Sequence, residues 1–272
     1  MTQPSPAHPS DLLPTQLSEH LLRLVAIVER LRSDRGCPWD RQQTPRSLVP
    51  YLLEETYEVI ESIDAGDQQA LKEELGDLLL HIVFQSSLAA EQGHFTLGES
   101  IAAVIHKLIR RHPHVFGDQP VRDTAEVRQR WEVAKQREKQ RKSILDGVPR
   151  TLPALTRAHR LQEKAASVGF DWQHLADVWA KVTEELEELH AACAAAEPAA
   201  IEEEFGDVLF SLVNVGRFLH LNAEDALRQT MVKFEQRFRG IEQELERRGR
   251  RLEEASLEEM DEIWNSFRRQ KD

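Results

Sequence analysis

Residues Glu73–Phe84 read EELGDLLLHIVF. Leu75, Leu78, Leu79, Ile82 and Val83 fall at i, i+3, i+4, i+7 and i+8. At 3.6 residues per turn these positions form a single apolar stripe. Glu74, Asp77 and His81 form the polar stripe beside it. Helical periodicity of this kind dominates the chain. No run of β-branched residues alternates with polar ones between turn signals. The pattern predicts an all-α protein.

The stretch recurs. Glu74-Leu75-Gly76-Asp77 matches Glu204-Phe205-Gly206-Asp207 at an offset of 130, and Glu54, Glu55 and Glu58 match Glu184, Glu185 and Glu188 at the same offset. Gly36-Cys37-Pro38-Trp39 matches Gly169-Phe170-Asp171-Trp172, and Trp131 matches Trp264, both at 133. Lys107 and Arg111 match Lys233 and Arg237 at 126. Features in one order at a near-constant offset define two homologous halves. Gly147, Pro149 and Pro153 interrupt the helical pattern between them. The expected organisation is a disordered proline-rich tail over 1–16, a first repeat over 17–142, a linker over 143–155 and a second repeat over 156–272. The densely charged run Glu126–Lys142, around Trp131, reads as a helix closing the first repeat.

Composition narrows the partners. A net charge of -12 disfavours a nucleic-acid backbone as ligand, and a polyanionic small molecule needs a cation as mediator. Two isolated cysteines, Cys37 and Cys193, make neither a disulfide framework nor a CxxC zinc site, and they suit a reducing cytoplasm. No apolar run approaches a membrane span, and the start of the chain has no signal-peptide pattern.

The acids carry the functional argument. At about 100° per residue Glu54, Glu55 and Glu58 occupy one narrow helix face, and Glu74 and Asp77 share another. Two antiparallel helices could aim these carboxylates at one point, where they require protons or cations. Oxygen-only ligands suit Mg²⁺, Mn²⁺ or Ca²⁺ rather than zinc. The plainer alternative is a solvated acidic face, and the repetition of the whole set argues against it. Gly76 and Gly206 sit mid-helix, where glycine costs about 1 kcal/mol relative to alanine; close packing and a functional site both account for them. Lys107 with Arg111, and Lys233 with Arg237, lie four apart and could hold phosphate oxygens. His112 and His114, flanking Pro113, read as helix-end caps. Trp39 and Trp172 read as packing residues, and Trp131 and Trp264 as either packing residues or stacking platforms.

The order EExxE, ExxD about 16 residues later, then Lys followed by Arg, resembles the MazG family of nucleoside triphosphate pyrophosphohydrolases. GCPWDRQQT, EETYEVIE, EELGDLLLHIVF and KLIRRHPHVF look like the first repeat of its two-repeat members. VGFDW, EELEEL, EEEFGDVLFSLVN and KFEQRF look like the second. The resemblance implies tandem all-α helical bundles, a homodimer, and Mg²⁺-dependent hydrolysis of NTPs and dNTPs to monophosphate and pyrophosphate. Mn²⁺ is a possible substitute for Mg²⁺. Carried over by motif, the metal ligands are Glu185, Glu188, Glu204 and Asp207, with counterparts Glu55, Glu58, Glu74 and Asp77. Lys181, Glu185, Asp207, Lys233, Arg237 and Trp264 are the implied nucleotide contacts, and Lys107, Arg111 and Trp131 are counterparts of the last three. Two-repeat members tend to work through the C-terminal half. Water orientation falls to Glu184, or to Glu54 in the first half, and these join the metal ligands as the catalytic set.

Two positions depart from the family pattern. Met231 stands where asparagine is common, and Gln236 where an arginine is common. Both bear on sugar and phosphate recognition and leave the acids intact. A ferritin-like di-iron protein, another helical carboxylate scaffold, needs two ExxH motifs on helices. Glu187–His190 offers one, but Glu91–His94 straddles Gly93. No GxxxxGK[ST] is present, which excludes a P-loop NTPase. A helical interaction module with structural acids is the non-enzymatic alternative. An all-acidic metal site reads the triphosphate rather than the base.

Overall fold

The computed structural model describes residues 14–118, 120–123, 126, 127, 130 and 143–269. Most of the proline-rich tail, most of the expected charged helix and Trp131 lie outside them. Among the described residues every regular element is a helix. The chain divides into two compact units, Met1–Val121 and Arg122–Asp272. The segment expected as a linker lies inside the second, where the Ile144 carbonyl accepts a hydrogen bond from Lys164 Nζ at 3.0 Å.

The first unit contains α1 (Pro14–Arg32), α2 (Pro38–Gln42), α3 (Val49–Ala65), α4 (Gln68–Glu91), α5 (Leu97–Arg111) and α6 (Pro113–Phe116). α3 and α4 form a tight hairpin. Gly66 ends α3 in the left-handed region at φ 68°. Asp67 then caps α4, its carboxylate accepting from the amides of Gln69 and Ala70 at 3.0 Å each. Thr96 and Glu99 make a reciprocal capping box at the start of α5. Val28, Leu48, Val83, Phe84 and Leu88 form the core beneath α1 and α4. Arg32 closes its edge. Its side chain is only 8% exposed, and it donates to both Glu91 carboxylate oxygens, at 2.5 and 2.6 Å, and to the Asp40 carbonyl. This anchors the Gly36–Trp39 turn against the body of the unit. Glycine is obligatory at 36, since a Cβ there would lie 2.0 Å from the Leu31 carbonyl oxygen.

The second unit contains α7 (Ala154–Ala166), α8 (Leu175–Ala195), α9 (Pro198–Phe218), α10 (Ala223–Arg247), a 3₁₀ turn (Leu252–Glu254) and α11 (Leu257–Arg269). α8 and α9 repeat the α3–α4 hairpin. At the turn, Ala196 takes the left-handed conformation at φ 55°, 130 positions after Gly66. The apolar core is in two pieces. Val178, Val182 and Val215 join α8 to α9. Ile241, Leu245 and Ile263, with Phe238, Met260, Trp264 and Phe267 around them, join α10 to α11. Gly240 faces Phe267 so closely that a Cβ would lie 2.7 Å from two ring carbons.

Candidate metal and nucleotide site

Each hairpin brings three glutamates together. One carboxylate oxygen each of Glu55, Glu58 and Glu74 lie within 4.8 Å of one another, as do those of Glu185, Glu188 and Glu204. Two ligands come from the first helix of the hairpin at i and i+3, and the third comes from the helix folded back beside it. In the first unit burial, then the charges of Asp77 and Glu58, push the Glu55 carboxyl up to about 7. Burial and the neighbouring carboxylates also raise Glu74 and Glu188. Asp77 and Asp207 stand outside the two triads, although the charge of Asp77 acts on both Glu55 and Glu74. Glu54 and Glu184 also stand outside.

The halves differ in what surrounds the acids. In the second unit Lys181 Nζ lies 2.7 Å from Glu184 Oε1 and 2.9 Å from Glu185 Oε1. The two hydrogen bonds raise the Lys181 pKa, and Glu185 itself is buried. The corresponding residue of the first unit, 130 positions earlier, is Tyr51, which meets the Trp39 ring edge-on at 5.8 Å between centroids. His81 of the first unit corresponds to Ser211. Its Nε2 is 3.9 Å from Glu55 Oε1, and its Nδ1 is buried without a partner. Burial lowers the His81 pKa, against the charge of Asp77, and favours the neutral ring. Ser211 instead donates to the Val208 carbonyl at 2.9 Å. Motif matching passed over both differences. The mismatches at 51/181 and 81/211 in otherwise aligned repeats were the available signal.

The basic and aromatic candidates form a separate group. The Arg237 guanidinium carbon lies 5.3 Å from the Trp264 ring centroid, and Phe234 packs on the same ring at 5.4 Å. Trp264 therefore packs and at the same time orients a cation. Lys233 is exposed. Among the described residues no ion pair joins Lys233 or Arg237 to a triad carboxylate. In the first unit Lys107 and Arg111 sit half-buried on α5, and His112 caps that helix, with Nδ1 2.7 Å from the Leu108 carbonyl. Trp39 and Trp172, read as packing residues, are about half exposed, at 51% and 46%. Among the described residues nothing lies within 4 Å of a Cβ added at Gly76 or Gly206, so neither serves close packing there.

Three hard oxygens this close, drawn from side chains that repel one another, fit a divalent cation of the Mg²⁺ type. The molecule is thus a duplicated all-α scaffold with a carboxylate triad built into the helix hairpin of each repeat. The MazG nucleotide pyrophosphohydrolase domain model matches it twice, over residues 43–116 and 173–240. The chain is 48% identical over 243 residues to the Thermotoga maritima nucleoside triphosphate pyrophosphohydrolase/pyrophosphatase MazG, covering 89% of this chain and 92% of the relative. It is 46% identical over 254 residues to the Escherichia coli nucleoside triphosphate pyrophosphohydrolase, covering 91% and 97%. It is also 45% identical over 243 residues to the uncharacterized Bacillus subtilis protein YabN, covering 88% of this chain and 50% of that one. The chain belongs to the MazG family. Among the described residues no helix is long and apolar enough to cross a membrane.

Proposed function

We propose that the chain hydrolyses NTPs and dNTPs to monophosphate and pyrophosphate in the cytoplasm, with Mg²⁺ as its cation and Mn²⁺ as a substitute. The carrying observation is the Glu185, Glu188 and Glu204 triad within a MazG domain. The relatives that match nearly end to end, named nucleoside triphosphate pyrophosphohydrolases, supply the substrate class.

The second unit is the working half in this reading, because Lys181 stands beside its acids where the first unit has Tyr51. Glu185, Glu188, Glu204 and Asp207 would hold Mg²⁺, which would neutralise the triphosphate and polarise the α-phosphorus. Lys181 shifts from Glu185 toward the phosphates as the substrate enters. Lys233 and Arg237 grip the β- and γ-phosphate oxygens, with Arg237 steadied on the face of Trp264. Glu184 orients the attacking water and takes its proton. The water attacks in line, the α-phosphorus–oxygen bond to the β-phosphate breaks, and pyrophosphate leaves. Glu55, Glu58, Glu74 and Asp77 would hold a cation in the first unit.

Product analysis with ATP and dNTPs in the presence of Mg²⁺ tests the reading. Wild type should release monophosphate and pyrophosphate, Glu204→Ala should not, and Glu74→Ala should retain activity. Loss only in Glu74→Ala moves the chemistry to the first unit. Failure of every nucleotide to yield pyrophosphate, with either cation, refutes the enzymatic reading.

A further inference from the structure

His81 makes the two acid sites differ in kind. It lies on α4 seven residues after Glu74 and four after Asp77, so the three share one helix face. Its Nε2 stands 3.9 Å from Glu55 Oε1 on α3, and its side chain is only 12% exposed. That distance is too long for a hydrogen bond. It suits two ligands of one divalent ion, which stand about 3–4 Å apart when each is about 2.1 Å from the ion. Nδ1 is buried without a partner. A histidine kept for packing or capping satisfies a ring nitrogen, and among the described residues this ring makes no hydrogen bond through either. It stands at the edge of the Glu55, Glu58 and Glu74 group with one nitrogen turned toward it.

The second unit has no such ring. The aligned residue is Ser211, whose hydroxyl donates to the Val208 carbonyl of its own helix. Its acids are met instead by Lys181, 2.9 Å from Glu185, where the first unit has the uncharged Tyr51. A bare cation entering the second triad competes with that ammonium, and one entering the first does not. The donor sets differ as well. Carboxylate oxygens alone suit Mg²⁺, whereas an imidazole nitrogen suits later first-row ions such as Co²⁺, Ni²⁺ and Zn²⁺. Ligation through Nε2 leaves the ring proton on Nδ1, a buried donor without an acceptor among the described residues. Mg²⁺ gains too little from nitrogen to offset that cost, and a transition ion gains enough, which sharpens the choice.

We infer that His81 joins Glu55, Glu58 and Glu74 in holding a transition-metal ion. The first unit then keeps a resident ion that seeks nitrogen, while the second takes Mg²⁺ with its nucleotide. This rests on the reading above that the first-unit acids hold a cation. The ion would tie α3, which carries Glu55 and Glu58, to α4, which carries Glu74 and His81.

Co²⁺ alone, added to the metal-stripped full chain, tests it. A Glu204→Gln background removes the second triad, so calorimetry reads the first. His81→Gln should weaken Co²⁺ binding roughly ten- to a hundredfold and change Mg²⁺ binding by less than about twofold. The proton magnetic resonance spectrum of the Co²⁺-loaded background protein should carry one exchangeable, hyperfine-shifted imidazole N–H signal. That signal should vanish with Glu74→Gln and with His81→Gln. It is read with His81 in place, so it decides the matter even if His81→Gln fails to fold. A loaded protein without the signal overturns the inference. So does a signal that survives Glu74→Gln, or a Co²⁺ affinity that His81→Gln leaves unmoved. Equal weakening of Co²⁺ and Mg²⁺ by His81→Gln would make His81 a packing residue and overturn it too. Mg²⁺ binding without the imidazole signal defeats this inference alone, whereas binding of neither ion defeats the first-unit cation reading with it.

Discussion

The turns that close the two acid hairpins can be exchanged, and the structure sets the size of the effect. In the first unit the turn is Gly66-Asp67. Gly66 takes φ 68° without a Cβ, and Asp67 caps α4 with two hydrogen bonds of 3.0 Å. In the second unit the same turn is Ala196-Glu197. Ala196 is held at φ 55°, and Glu197 makes no side-chain cap. A left-handed alanine costs roughly 1–2 kcal/mol, against which glycine loses about 0.4–1 kcal/mol to the entropy of the unfolded chain. A good N-cap contributes about 1 kcal/mol. Ala196→Gly with Glu197→Asp should therefore stabilise the second unit by about 1.5 kcal/mol, raising its Tm by roughly 3–6 °C. Differential scanning calorimetry of the full chain measures this, with pyrophosphate release expected to be unchanged. The reciprocal pair, Gly66→Ala with Asp67→Glu, should lower the first unit's transition by a similar amount. An unchanged or lowered Tm for the Ala196→Gly/Glu197→Asp protein would refute the reasoning, because it would mean that the left-handed alanine carries no strain or that the cap carries no weight.

Gly240→Ala forces the Phe267 ring to retreat. The overpacking cost of about 1–3 kcal/mol exceeds the ~1 kcal/mol helix gain, so amides of α10 and α11 should exchange hydrogen faster while those of α8 and α9 do not. Lys181→Met removes a cation that competes for Glu185; bare Mg²⁺ should bind up to about fivefold tighter by calorimetry, as befits a partly exposed ion pair, while nucleotide KM rises. Glu55 titrates near 7 in the folded chain, above its unfolded value, so its contribution to stability is present below the ordinary carboxylate range and is lost as pH rises through about 7. Divalent cation should offset that loss, and titrations below pH 7 in buffers of different ionisation enthalpy should show proton release on cation binding that Glu55→Gln abolishes.

The helices, their duplication and the acid faces were legible because each is a matter of spacing along one helix. The offset of 130 aligned both hairpins. What the sequence could not carry was depth and coverage. A step of 100° per residue places Asp77 and Asp207 on the acidic faces, but it does not say that they stand back from the triads. An apolar stripe such as Leu227, Met231 and Phe234 reads as a buried face, yet all three residues are about half exposed in the folded chain. Gly66 marks its turn in the sequence. Ala196 does not, because the surrounding alanines favour continuing the helix, and the geometry there is imposed by the hairpin. Mid-helix glycines such as Gly76 and Gly206 suggest close packing or function, and among the described residues both face open space.

The hairpin construction also bears on how the chain is made. Most helices lean on their neighbours in sequence, so the loops that must close during folding are short. Chains of that kind collapse within microseconds to milliseconds, and little waits on distant segments finding each other. The folded chain keeps rows of half-exposed Leu, Ile and Phe along α4, α5, α9 and α10. During synthesis the first unit, with α4 and α5 already formed, offers such rows while the second is still being translated. Rows of this kind make a folding chain prone to aggregate, and expression level sets how often that happens.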